Sequence, residues 1–106
     1  MIFLKPEEID QKELFPGCVA KFIHSENMTV VHWTIEADGQ IPEHSHPHEQ
    51  VANIIEGEFE FTIAGKTKRL DPGCVAVIPP DAVHSGKAIT KCFIIDVFYP
   101  VREDYK

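Results

Sequence analysis

The chain lacks any apolar run approaching the ~18 residues that a membrane-crossing helix needs, so no membrane partner is expected. Positive charge is scarce: 10 Lys and Arg stand against 17 Asp and Glu, a formal net charge of −7. No basic cluster offsets this, which argues against nucleic acid as a partner. An anionic small ligand would need a local positive centre. Cysteine is sparse and widely spaced, at Cys18, Cys74 and Cys92, with no Cys-x-x-Cys. Neither a disulfide framework nor a thiolate zinc site fits that pattern, and the thiols read as reduced and buried. The stretch Met1-Ile2-Phe3-Leu4-Lys5-Pro6-Glu7-Glu8 is too short in apolar residues and too acidic for a secretory signal. A cytoplasmic protein is the expectation. No helix-length segment carries a 3.6-residue hydrophobic period, and repeats, linkers and low-complexity tracts are absent.

What the chain does have is short apolar runs punctuated by turns. With 106 residues it reads as one domain over 1–106, long enough to bury roughly 65% of its unfolded surface. Pro6-Glu7-Glu8-Ile9 suits a single helical turn. Strands are predicted at Cys18 to His24, Met28 to Glu36, Val51 to Ile55, Glu58 to Ile63, Thr67 to Leu70, Cys74 to Ile78 and Thr90 to Tyr99. Ser25-Glu26-Asn27, Ala64-Gly65-Lys66 and Asp71-Pro72-Gly73 supply turn chemistry between them. Alternation puts Val31, Trp33 and Ile35 on one face and Phe59, Phe61 and Ile63 on another. The last strand is apolar on both faces: Cys92, Ile94 and Phe98 on one, Phe93, Ile95, Val97 and Tyr99 on the other. Such a strand is expected to be buried on two sides. Asp96, in the middle of the first face, is out of place there. Pro100 to Lys106 reads as a polar tail. Seven or eight such strands make an all-β sandwich or barrel.

The chemistry is concentrated in Glu43-His44-Ser45-His46-Pro47-His48-Glu49-Gln50. On an extended backbone His44 and His46 share a face, and Gln50 joins them by parity. Two imidazoles and an oxygen donor aimed at one point suit a divalent transition metal. His84 is the candidate fourth ligand. Glu49 points the other way by the same parity, His48 is expected outside the ligand set, and His24 and His32 read as structural.

These residues fall into two motifs that resemble those of the cupin family. Gly39, His44-Ser45-His46, Gln50 and Gly57 match the first; Gly73, Pro79-Pro80-Asp81, His84 and Ala88 match the second. The resemblance covers about residues 28–99 and implies a double-stranded β-helix, or jelly-roll, barrel with a short N-terminal segment. Gly39 lies one residue nearer His44 than is usual, and Asp81 and Ala88 replace Gly and Asn. Gln50 replaces the usual Glu, and a neutral amide is a weaker donor that leaves the site one charge more positive.

A closer resemblance narrows the function. His-Ser-His-Pro-His-Glu-Gln-Val, Gly-Glu-Phe-Glu-Phe and Asp-Val-Phe-Tyr-Pro-Val-Arg-Glu-Asp-Tyr are similar to stretches of small cupins of pectin and alginate breakdown. Those proteins convert 4,5-unsaturated uronates to the linear keto form. The resemblance implies active residues at Asp96, Phe98 and Arg102. Asp96 would serve as general acid or base, Phe98 as a wall, and Arg102 as a bidentate clamp on the substrate carboxylate. The metal (Zn, Ni, Fe, Mn or Co) would polarise a substrate oxygen. A metal-dependent dioxygenase and a non-catalytic sugar-binding module are the alternatives. The expected partner besides an anionic sugar is a second copy, since exposed Ile2, Phe3 and Leu4 suggest a strand given to a homodimer.

Overall fold

A computed structural model describes residues 2–106. Ten strands follow in order: β1 (Gln11–Phe15), β2 (Cys18–His24), β3 (Thr29–Ile35), β4 (Gln40–His44), β5 (Glu49–Glu56), β6 (Phe59–Ile63), β7 (Lys66–Leu70), β8 (Val75–Ile78), β9 (His84–Ala88) and β10 (Cys92–Tyr99). Single 3-10 turns stand at Pro6–Glu8 and Glu103–Tyr105. The all-β expectation holds, with three strands more than the pattern marked out. β1, β4 and β9 are poor in the β-branched and aromatic residues that signal strands, and pairing defines them instead.

Every pairing is antiparallel. Six strands form one sheet in the order β1-β2-β3-β10-β5-β8, and four form the other, β4-β9-β6-β7. From β3 onward the chain passes repeatedly from one sheet to the other, the path of a jelly roll. β10 lies between β3 and β5, and β9 between β4 and β6. That interleaving brings the end of β4 beside the start of β9, with His44 directly opposite His84.

The core follows the period of two. Val31, Trp33 and Ile35 of β3, Ala52 and Ile54 of β5, Phe59 and Phe61 of β6, and Ile94 and Phe98 of β10 are buried between the sheets. Gly57 turns β5 into β6 at φ +85, where a Cβ would run into the Lys91 carbonyl. Gly86 lies against the Phe59 ring, and any side chain there would displace the ring. Among the described residues no helix is long and apolar enough to cross a membrane.

Two expectations need correction. β10 is not buried on both sides: Cys92, Ile94, Asp96 and Phe98 are buried, whereas Phe93, Ile95 and Val97 are half exposed and Tyr99 is exposed. Among the described residues, Pro6 and Gln11 share a surface pocket with Phe93 and Ile95 on that outer face. Residues 100–106 are not a solvated tail either. Arg102 is only 5% exposed, and its backbone N–H donates to Thr29 Oγ1 at 2.9 Å inside the fold.

Candidate metal centre

His44, His46 and His84 converge at the end of the sandwich where β4 crosses to β5. Their ring centroids lie 4.2 Å (His44–His84), 4.9 Å (His46–His84) and 5.6 Å (His44–His46) apart. One ligand atom from each falls within 4.8 Å of the others, a group able to hold a metal ion. Strand parity is not what unites the first two. His44 ends β4, whereas His46 lies on the link to β5 and reaches the cluster from outside any strand.

The hydrogen bonds fix the tautomers. Nδ1 of His44 meets Pro42 O at 2.7 Å, Nδ1 of His46 meets His48 O at 2.9 Å, and Nδ1 of His84 meets Ala82 O at 2.8 Å. A carbonyl oxygen can only accept, so each Nδ1 carries the proton and each Nε2 offers a lone pair. This is the arrangement in which metal-ligating histidines are oriented by an outer partner. Nε2 of His84 is buried with no partner, at a cost of about 1–3 kcal/mol if nothing satisfies it. Nε2 of His46 lies 3.1 Å from Gln50 Oε1, so two acceptors face each other. Burial, with the Arg102 charge adding, lowers the His46 pKa from 6.5 to about 4, so the ring is not an imidazolium at neutral pH. A cation between those acceptors resolves the conflict. The donors present therefore fit a divalent metal.

Behind this group lies a cavity of about 160 Å³ whose wall includes His44, Gln50, His84, Asp96, Phe98 and Tyr105. It has room for about five waters at ~30 Å³ each, the scale of a small ring molecule rather than the ~300–1,000 Å³ of a drug-sized pocket. Asp96 projects from β10 into this space and is 4% exposed. Trp33 Nε1–H donates to its Oδ2 at 3.1 Å, and Oδ1 is buried without a partner. Burial raises the Asp96 pKa from 3.8 to about 7. Gln50, Trp33 and Arg102 pull it down without compensating, and Gln50 stops short of a hydrogen bond to the free oxygen.

Arg102 is close by but does not line the cavity. Its guanidinium packs over the rings of Phe98 at 4.7 Å and Tyr105 at 4.1 Å, both of which do. Asp104 already holds one edge of it, accepting from Nε at 3.0 Å and Nη2 at 2.7 Å. A two-pronged clamp on a ligand through that edge is thus taken, and Nη1 is the buried donor left without a partner.

The remaining histidines lie outside the ligand group. His48 gives His46 a carbonyl and packs its ring edge-on against the His46 ring at 5.6 Å, His24 bonds Thr29 Oγ1 at 2.9 Å, and His32 packs edge-on to Phe93 at 5.7 Å. Glu49 is exposed. Sequence reasoning missed Trp33, Tyr105, Asp104 and Thr29. Trp33 carried a signal, since it occupies the inward parity of β3. Tyr105 and Asp104 carried none, because a seven-residue polar ending gives no period to read.

The family of cupin domains matches residues 31–98 of the chain. No curated protein matches the sequence. Among solved structures, an RmlC-like cupin from Shewanella frigidimarina is 26% identical with a TM-score of 0.94, covering 100% of this chain and 96% of its own. KdgF from Halomonas sp. is 28% identical with a TM-score of 0.93, covering 100% and 99%. Oxalate decarboxylase from Bacillus subtilis, at 19% identity and a TM-score of 0.81 over 89% of this chain and 28% of its own, shares the fold.

Proposed function

Because the chain belongs to the cupin family, we propose that it is a metal-dependent enzyme that opens a 4,5-unsaturated uronate to its linear keto form. The observation that carries the reading is Asp96: a buried carboxyl with a pKa near 7 and a free oxygen, in the wall of a small cavity shared with His44, His84 and Gln50. The likeness to KdgF and the Asp-x-Phe-x-x-x-Arg spacing support the same substrate class.

Ring opening of such a uronate moves one proton from the anomeric hydroxyl to the alkene carbon next to the enol-ether carbon. The anomeric carbon becomes a carbonyl as its bond to the ring oxygen breaks. That oxygen keeps the electron pair and becomes the ketone oxygen, and the former alkene carbon takes the proton. A carboxyl with a pKa near 7 holds and releases a proton at neutral pH with little penalty either way. On this reading Asp96 Oδ1 delivers it, while Trp33 holds Oδ2 and fixes the direction in which Oδ1 points. Phe98 presents an apolar surface to the sugar ring and keeps water from Asp96. The Arg102 charge beneath the Phe98 and Tyr105 rings, with its free Nη1, supplies the positive centre that draws a carboxylate into a protein of net charge −7. His44, His46, His84 and Gln50 would hold the metal, whose contribution when bound is Lewis-acid polarisation of a substrate oxygen.

The test is spectroscopic. Unsaturated galacturonate loses its ultraviolet enol-ether band on opening, and metal-loaded protein is expected to accelerate that loss, with Asp96→Ala losing at least ~10²-fold. A wild-type rate equal to the spontaneous one would end this reading.

A further inference from the structure

Among the described residues, Arg102 is the one Lys or Arg side chain that the fold buries. Its counter-ion sits differently. The Arg102 side chain is 6% exposed and that of Asp104 is 57% exposed. Asp104 thus reaches in from solvent to accept from Nε and Nη2. Among the described residues, no other side chain donates a hydrogen bond to its carboxylate.

The turn that carries Asp104 also covers Arg102. Glu103–Tyr105 is a single 3-10 turn, and its Tyr105 ring stacks on the guanidinium while forming part of the cavity wall. Phe98, on β10, screens the same group from the other side. One screen is therefore fixed to a strand and the other to a short turn. That turn is lightly held. Its backbone bonds, Tyr105 N–H to Arg102 O and Lys106 N–H to Glu103 O, stay inside the segment. Its hold on the rest of the fold is the Tyr105 ring against Phe22, at 4.6 Å, and the Asp104 pair with Arg102. Arg102 itself is anchored through its N–H on Thr29 Oγ1. A hinge between Arg102 and Glu103 would lift Asp104 and Tyr105 together and leave Arg102 in place.

We propose that Asp104 stands in for the ligand's carboxylate, holding the Arg102 edge until an entering uronate takes it and the Glu103–Tyr105 turn lifts. The inference rests on reading the cavity as a uronate site. The exchange replaces one carboxylate with another, so the buried guanidinium keeps a counter-ion throughout. The displaced Asp104 is already largely in water, where an ion pair is worth little and hydration is readily regained. Nη1, buried with no partner, is a donor that the incoming carboxylate can engage before Asp104 lets go. The planar fork of the guanidinium then accepts the newcomer on two prongs. A neutral sugar has nothing to exchange for Asp104 and leaves the turn closed. Asp104 is thus a specificity-determining residue that selects anions by competing with them.

Calorimetric titration with saturated galacturonate, which has no enol ether to open, tests the exchange apart from the reaction. Asp104→Asn keeps the size of the side chain and an acceptor for Arg102 but removes the competing charge. It is expected to bind galacturonate at least ~3-fold more tightly than the wild type does. Glu103→Gln, the same charge change one residue away, should bind as the wild type does, and galactose should gain in neither variant. In wild-type protein carrying carbon-13 in its carboxyl groups, saturating galacturonate should move the Asp104 resonance towards that of a solvated aspartate. Equal or weaker binding by Asp104→Asn, the same gain from Glu103→Gln, an unmoved Asp104 resonance at saturation, or no binding by either wild type or Asp104→Asn would each overturn the proposal. Tighter galacturonate binding by Asp104→Asn without turnover of the unsaturated sugar by the wild type would count against the proposed reaction and leave the exchange standing.

Discussion

Replacing Asp96 with Asn should stabilise the metal-stripped protein while abolishing its proposed activity. Asn keeps an acceptor for Trp33 Nε1 and nearly the same volume, but carries no titratable proton. Burial raises the Asp96 pKa from 3.8 to about 7. The folded state therefore holds the proton more tightly than the unfolded one, and stability falls as pH rises between those two values. About three pKa units correspond to about 4 kcal/mol in the ionised state, an upper bound because water and structural relaxation soften it. Against a typical total of ~5–15 kcal/mol that is a large share. Urea unfolding of chelator-treated wild type and Asp96→Asn should show the variant more stable at about pH 8 and the gap closing towards pH 4. The enol-ether assay should show the variant at least ~10²-fold slower. A variant less stable than wild type at pH 8, or a gap that does not shrink with acid, would refute the claim that Asp96 is a desolvated carboxyl. Retained turnover would refute its role as the proton donor.

Gln50→Glu should bind a divalent metal more tightly, because a carboxylate replaces an amide oxygen beside His46, and should turn over more slowly as Lewis acidity falls and a second carboxylate crowds Asp96; calorimetric titration and steady-state rates separate the two effects. Trp33→Phe removes the donor on Asp96 Oδ2, so the limb of the rate profile that reports Asp96 should move to higher pH, with about 1–3 kcal/mol lost in unfolding; an unmoved limb contradicts the assignment. Thr29→Val strands the buried Arg102 N–H and should cost a similar amount, read as a lower melting temperature.

The sequence made the sandwich legible where burial alternates residue by residue. β3, β6 and the inner face of β10 announce themselves because each alternate side chain enters the core. β9 did not, since His84-Ser85-Gly86-Lys87-Ala88 has nothing β-branched, and its strand exists only through pairing with β4 and β6. The convergence of His44 and His84 could be named from the chain, but the reason for His46 could not. It lies on a crossover whose path depends on where β5 docks. Arg102 shows the same limit. Its spacing from Asp96 suggested a role, while its burial, its pairing with Asp104 and its stacking on Tyr105 follow from how the last residues fold back over β10.

The central claim is that His44, His46 and His84 share a single cation. Elemental analysis of purified protein, repeated on His44→Ala and His84→Ala, tests it most directly. One transition-metal ion per chain is expected in the wild type, with near-complete loss in each variant and the fold intact. Wild-type protein that takes up no metal, or a His84→Ala variant that keeps it, would rule out a cation shared by the three imidazoles.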